Sequence, residues 1–261
     1  MNRITKLFET KKTGILSVYF TAGYPALNDT LRTLNALQAN GIDMVEIGIP
    51  FSDPMADGPV IQGATMQALC NGMSLRILFE QLKDMRQTIR IPVILMGYLN
   101  PVMQYGFEAF CQSCVDAGVD GVIIPDLPFA TYMDEYKGIA ERYDIKIIML
   151  ISPETSEERI RLIDEHTNGF IYMVSSASTT GAQNSFSDTV QDYFQRVRVM
   201  NLKNPQLIGF GISNRDTCQM AMANSFGAIV GSKFIELLGK HTTPEEAVTD
   251  LLKALGKSSR N

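Results

Sequence analysis

The chain has 261 residues, 45% hydrophobic and 20% charged, enough apolar material for one α/β barrel or two small domains. Its formal net charge is −5, and the absence of any Lys/Arg cluster or basic-aromatic interleaving argues against nucleic-acid and anionic-membrane binding. No apolar run approaches the ~20 residues that span a bilayer, and the first eight residues lack a signal-peptide core, so a cytoplasmic protein is expected.

Ile4, Leu7 and Phe8 sit at helical spacing and predict a short amphipathic N-terminal helix docked on the core. The apolar run at 14–20 reads as the first strand and the stretch 27–39 as the first crossover helix. The second strand, 43–47, runs on into Gly48 and Ile49 and carries Glu46 among apolar neighbours. Strand side chains alternate, so Met44, Glu46 and Gly48 share one face while Val45, Ile47 and Ile49 share the other. The following loop, PFSDPMADGP at 50–59, adds Asp53 and Asp57 between prolines whose rings fix φ. An extra helix is expected over 59–69, before the crossover helix at 74–88.

Strands at 92–96, 121–124, 146–151, 169–174, 206–209 and 228–230 then alternate with helices at 106–117, 129–143, 156–165, 187–200, 214–223 and 243–255. Another extra helix is expected at 233–238, after the last strand. Several strands follow one signature, seen in ANGID at 39–43, AGVDG at 117–121 and NSFGA at 224–228. Gly near a helix end marks the join between one αβ unit and the next. The alternation implies a parallel sheet with helical cover, and at this length a single (β/α)8 TIM barrel, one domain over 1–261. A doubly wound open sheet is the alternative, but the first strand lacks the GxGxxG turn that would favour it. The four cysteines fit a reducing compartment; Cys111 and Cys114 have CxxC spacing but fall mid-helix without a second pair, which points to helix packing. His166 and His241 have no evident nucleophile or metal partner.

In such a barrel function belongs at the C-terminal strand ends, and strand alternation points Glu46 into the mouth. Lys146, at a strand start, is the one basic residue on the neighbouring runs, so a catalytic role is favoured over an ion pair. Burial should then raise the Glu46 pKa toward neutrality. Asp57 has two open readings: a catalytic carboxylate, or the cap of the helix starting near Pro59. Asp53, in Ser-Asp-Pro, reads as a turn residue. Three small-residue loops, SSASTTGA at 175–182, GFGIS at 209–213 and VGSK at 230–233, fall where barrels hold phosphate and suggest a phosphorylated substrate. Two apolar loops, GYLNPVM at 97–103 and PDLPF at 125–129, pack beneath a lid or meet a partner protein.

The run VEIGIPFSDPMADGPVIQ at 45–62 resembles the signature of the tryptophan synthase alpha subunit family. FTAGYP at 20–25, LMGYLNPV at 95–102, IPDLP at 124–128 and GFGIS extend the resemblance over the whole chain. It implies a (β/α)8 barrel that cleaves indole-3-glycerol phosphate to indole and glyceraldehyde 3-phosphate. The family's two catalytic carboxylates match Glu46 and Asp57, the first moving protons and the second stabilising charge at the indole nitrogen. Its active-site Tyr matches Tyr172, and its substrate-pocket aromatic and Thr match Tyr19 and Thr21. Its lid-loop Thr-Gly matches Thr180 and Gly181, and its phosphate-binding positions match Gly181, Gly211, Gly231 and Ser232. The resemblance further implies an α2β2 complex with a pyridoxal-phosphate-dependent beta subunit, met by the loops from Tyr98 to Met103 and from Asp126 to Phe129. No cofactor is expected in this chain itself. One departure falls in the lid loop, where Ser178 and Thr179 stand in place of a usual Gly, a restriction on the backbone that bears on closure and coupling. Another phosphate-binding barrel enzyme and a non-catalytic activator of the partner are the competing readings.

Overall fold

Strands that are apolar on both faces need cover on both sides, and a closed parallel sheet wrapped in helices supplies it without leaving an edge. In the computed structural model, which describes residues 1–175 and 187–258, eight parallel strands close in sequence order, with β8 returning to β1. They are β1 (Ile15–Thr21), β2 (Met44–Gly48), β3 (Val93–Met96), β4 (Gly121–Ile123), β5 (Lys146–Ile151), β6 (Ile171–Val174), β7 (Gln206–Gly209) and β8 (Gly227–Val230). The expected TIM-barrel architecture is the one observed.

Alternation sorts the core into two layers. Ile15, Met44, Ile94, Ile123, Ile148, Leu207 and Ile229 fill the barrel interior. Their strand neighbours, among them Leu16, Val18, Val45, Ile47, Val93 and Val122, pack outward against the helices. The N-terminal helix, Arg3–Thr10, sends Ile4 and Phe8 into the inner layer, where Phe8 meets Phe170 at 5.8 Å and Phe226 at 6.1 Å between ring centroids. That amphipathic helix closes the N-terminal end of the barrel and leaves the C-terminal end for chemistry.

The other two extra helices also fall where the sequence places them, at Pro59–Cys70 and Ser232–Lys240. Three segments differ from expectation, the first being the helix read over 74–88, which runs only over Leu75–Leu82 and is followed by a 3-10 turn at Met85–Gln87. The stretch read as an apolar loop at 97–103 contains a helix, Leu99–Tyr105, whose first N–H is capped from the next loop by Asp126 Oδ1 at 2.8 Å. Part of its hydrophobicity serves packing: Tyr98 and Val102 are buried, as are Leu127 and Phe129 of the next loop, while Met103 is exposed. The helix expected over 129–143 is broken by a π-helical turn at Tyr132–Tyr136. Cys111 and Cys114 are wholly buried in the Phe107–Ala117 helix, where burial pushes the Cys111 thiol up to about 12 and Cys114 well above its usual range. Inert thiols of this kind serve packing.

A buried carboxylate organises the closed end. Asp120, just before β4, takes Arg86 at 2.6 Å, Arg3 at 3.0 Å and the Val93 N–H at 2.9 Å. Arg86 also donates to the carbonyls of Gly118 and Ile91, so this cluster joins β3, β4 and the N-terminal helix. Asp120→Ala would leave Arg86 buried without its counter-ion, and a loss of about 3–5 kcal/mol is expected in denaturant unfolding. A loss under about 1 kcal/mol would place Asp120 among surface-strength pairs and assign the closure to packing alone.

Candidate active site

β1 and β2 pair with Tyr19 beside Glu46 and Thr21 beside Gly48. Met44 lies in the inner layer and Val45 and Ile47 in the outer, so alternation turns Glu46 inward. Glu46 is wholly buried. Its Oε1 accepts a hydrogen bond from Ser17 Oγ at 2.9 Å, and its Oε2 has no hydrogen-bond partner among the described residues. Lys146 pairs instead with Asp144 at 2.7 Å, on the far end of the barrel. Burial pushes the Glu46 pKa up to about 8, opposed in part by the Ser17 hydroxyl.

Two tyrosines lie across glycines of adjacent strands. A Cβ on Gly48 would sit 2.1 Å from Tyr19 Oη, and one on Gly209 would sit 2.3 Å from Tyr172 Oη. Only glycine admits the two phenols at these places. Both phenols are held neutral by burial, and both lie in the field of Glu46 and Asp57. Thr21, wholly buried, stands 3.5 Å from Tyr19 Oη and supports that ring.

Asp57 reaches the same region from the loop after β2. The cap position of the Pro59–Cys70 helix is held by Gly58. The Asp57 carboxylate instead accepts a hydrogen bond from Tyr98 Oη at 3.0 Å, while Tyr98 Oη accepts one from the Ala56 N–H at 2.9 Å. Tyr98 thus ties the carboxylate loop to the end of β3. Burial pushes Asp57 up to about 6, with the Tyr98 hydroxyl acting against the shift. Asp53 is exposed and takes the Ser52 hydroxyl at 2.5 Å, the turn chemistry its sequence suggests.

A cavity opens at this end of the barrel, about 440 Å³ with its open mouth included, lined by Tyr19, Asp57, Ile61, Met96, Tyr172, Phe210, Gly211, Ile212, Ile229, Gly231 and Ser232. A second space of about 300 Å³ shares Tyr19, Asp57 and Met96 and extends to Phe51, Tyr98 and Pro125. Apolar walls with polar groups at the edge suit a flat aromatic ligand carrying a charged tail. Ser232 opens the Ser232–Lys240 helix directly after Gly231, an arrangement that favours an anion. Phe210 adopts a left-handed backbone (φ 67°), held by the Ser175 hydroxyl on its carbonyl at 2.8 Å, and its ring meets Tyr172 edge-on at 6.0 Å. Among the described residues, no three His, Cys, Asp or Glu side chains converge as a metal site requires.

The structure therefore gathers Tyr19, Asp57, Tyr172, Gly211, Gly231 and Ser232 around one cavity, with Glu46 and Thr21 in the layer beside it. Thr180 and Gly181, together with Ser178 and Thr179, lie outside the described residues. Sequence reasoning missed two participants. Ser17 could have been found from alternation, since Ser17, Tyr19 and Thr21 form the polar inward set of an otherwise apolar strand. Tyr98 falls in a loop expected to pack beneath a lid or meet a partner, and no local pattern announces its bond to a residue 41 positions away.

Known proteins match this chain throughout. The family model for the tryptophan synthase alpha chain matches residues 5–260. The alpha chain of Parabacteroides distasonis is 69% identical over 255 residues, covering 98% of this chain and 99% of that one. Among solved structures, the Legionella pneumophila alpha subunit superposes with a TM-score of 0.86 at 36% identity, covering 98% of this chain and 97% of that one. The chain in a Pyrococcus furiosus tryptophan synthase complex gives 0.83 at 35% identity, covering 95% of this chain and 98% of that one. A family match that runs nearly end to end leaves no part of the barrel outside it, and the chain belongs to the tryptophan synthase alpha chain family.

Proposed function

We propose that this chain cleaves indole-3-glycerol phosphate to indole and glyceraldehyde 3-phosphate, with Glu46 as proton shuttle and Asp57 as charge stabiliser. The observation that carries this reading is the placement of two carboxyls at one end of the barrel: Glu46 wholly buried with Oε2 unpaired among the described residues, and Asp57 at the cavity wall bonded to Tyr98, settings in which burial favours the acid form more strongly at Glu46 than at Asp57. Glu46 gives its proton to indole C3, leaving a cationic ring whose N–H donates to the Asp57 carboxylate. Cleavage of the bond from C3 to the glycerol carbon turns the attached hydroxyl into the aldehyde. The hydroxyl proton then returns to Glu46, which ends as it began. Tyr19 and Tyr172 wall the ring, Gly181, Gly211, Gly231 and Ser232 take the phosphate end, and Thr21 and Thr180 complete the substrate contacts. Every step is proton transfer or carbon–carbon cleavage, so the chemistry calls for no cofactor in this chain.

The product indole passes to a beta subunit that carries pyridoxal phosphate. The docking surface is formed by the linked segments around Leu99 and Asp126, together with exposed Met103 and Met55 at the same end. Phe129 is packed beneath Arg159, at 4.3 Å from the ring centroid, and supports that surface from below.

Glu46→Gln should lower indole release by roughly 10²–10⁴-fold while substrate still binds, measured by single-turnover assay and titration. Wild-type turnover in this variant would remove Glu46 from the mechanism. Asp57→Asn should cost roughly 10²–10³-fold in kcat with an unfolding temperature close to wild type. A large thermal loss with intact kcat would make Asp57 a structural residue. The profile of kcat/KM against pH should be a bell with limbs near 6, where Asp57 ionises, and near 8, where Glu46 loses its proton. A flat profile across that interval is incompatible with the assigned states. Met103→Asp should weaken association with the beta subunit at least tenfold (about 1.4 kcal/mol) and leave indole release by the free chain unchanged; equal affinity by titration would move the interface elsewhere.

A further inference from the structure

The two oxygens of the buried Glu46 carboxyl are not equivalent. Oε1 accepts from Ser17 Oγ at 2.9 Å, and Oε2 has no hydrogen-bond partner among the described residues. Ser17 is itself wholly buried on β1, and its hydroxyl makes this single hydrogen bond among the described residues. A neutral carboxyl has one carbonyl oxygen, which accepts, and one hydroxyl oxygen, which donates. Either arrangement leaves one proton unpaired; if Glu46 donated to Ser17 it would sit on the serine, whereas with Ser17 donating it sits on Oε2, where a shuttle can release it. We propose that Ser17 is the positioning residue of the proton shuttle: its hydroxyl fixes Oε1 as the carbonyl oxygen and so places the transferable proton on Oε2. The inference rests on the shuttle role given to Glu46 above.

The assignment explains why a group meant to move protons keeps one oxygen free. Oε2, with no partner among the described residues, is the oxygen left to exchange a proton with substrate. After the proton leaves, the Ser17 bond strengthens, because a donor binds a carboxylate more tightly than a neutral carbonyl. Ser17 thereby restrains the rise in the Glu46 pKa that burial imposes. The titratable groups facing Glu46 are the phenols of Tyr19 on β1 and Tyr172 on β6, with the Asp57 carboxyl on the loop after β2 acting on both phenols; β3 contributes the apolar Ile94 and Met96. Both phenols stay neutral, so among these groups the Ser17 hydroxyl is the one that favours the ionised form.

The test is infrared difference spectroscopy, with the carbonyl stretch of protonated Glu46 isolated by subtracting the Glu46→Gln spectrum. In Ser17→Ala the band should move to higher frequency and its titration midpoint should rise by about one pH unit. The same variant should lose roughly tenfold in kcat with little change in KM. Ser17→Thr, which restores a hydroxyl, should return band, midpoint and kcat toward wild type, with thermal unfolding of both variants reporting on the fold. An unmoved band in Ser17→Ala overturns the proposal, as does a shifted band with unchanged kcat. A wild-type protein that shows the Glu46 band and releases no indole overturns the proposed function instead, and leaves the Ser17 bond standing.

Discussion

The site depends on one constraint: a carboxyl group with no counter-ion among the described residues is sealed inside the barrel beside β1. Left ionised there, it would lack most of the hydration that a carboxylate demands. Neutralisation is the cheaper state, and it turns an ordinary glutamate into an acid able to give a proton near neutral pH. The cost falls on stability. A carboxyl whose pKa rises on folding contributes fully below its ordinary 4.5 and withdraws stability as pH climbs toward about 8. Structure and chemistry are coupled at this residue, because the burial that weakens the fold at high pH is what prepares the acid.

Asp57 needs the opposite treatment, and its setting supplies it. It stands at the cavity edge, and the Tyr98 hydroxyl bonds to its carboxylate and favours the charged form. Burial still lifts its pKa, by less than for Glu46. Two carboxyls near one cavity are thus biased apart in their proton affinity through burial and one hydroxyl each. The glycines at 48 and 209 complete the arrangement, since each makes room for a neutral phenol lying across the neighbouring strand.

The two ends of the barrel divide their tasks. The N-terminal end is closed by Ile4, Phe8 and a cluster in which the buried Asp120 carboxylate pairs with two guanidiniums, Arg86 and the part-exposed Arg3. The C-terminal end carries mismatched features: a lone buried acid, a left-handed Phe210 and an open cavity. Such local costs are tolerable where the rest of the barrel is well paired.

Much of this was legible in the sequence. Strand period two and helix period 3.6 are local signals, so the eight strands, the three extra helices and the inward direction of Glu46 follow from residue order. The helix at Leu99–Tyr105 escaped because its cap, Asp126, comes from another loop, a contact that residue order does not display. Asp57 carried two readings until folding brought Tyr98 to it across 41 positions and put Gly58 at the helix cap. Ser17 and Glu46 are 29 residues apart, and parallel pairing of β1 with β2 alone makes them partners. The sequence by itself determined which residues can carry the chemistry and which way they face, because side-chain direction is periodic along the chain. Tertiary structure alone decided which hydroxyl meets which carboxyl oxygen, and hence which group holds a proton at pH 7, because burial and hydrogen bonding are properties of neighbours distant in sequence.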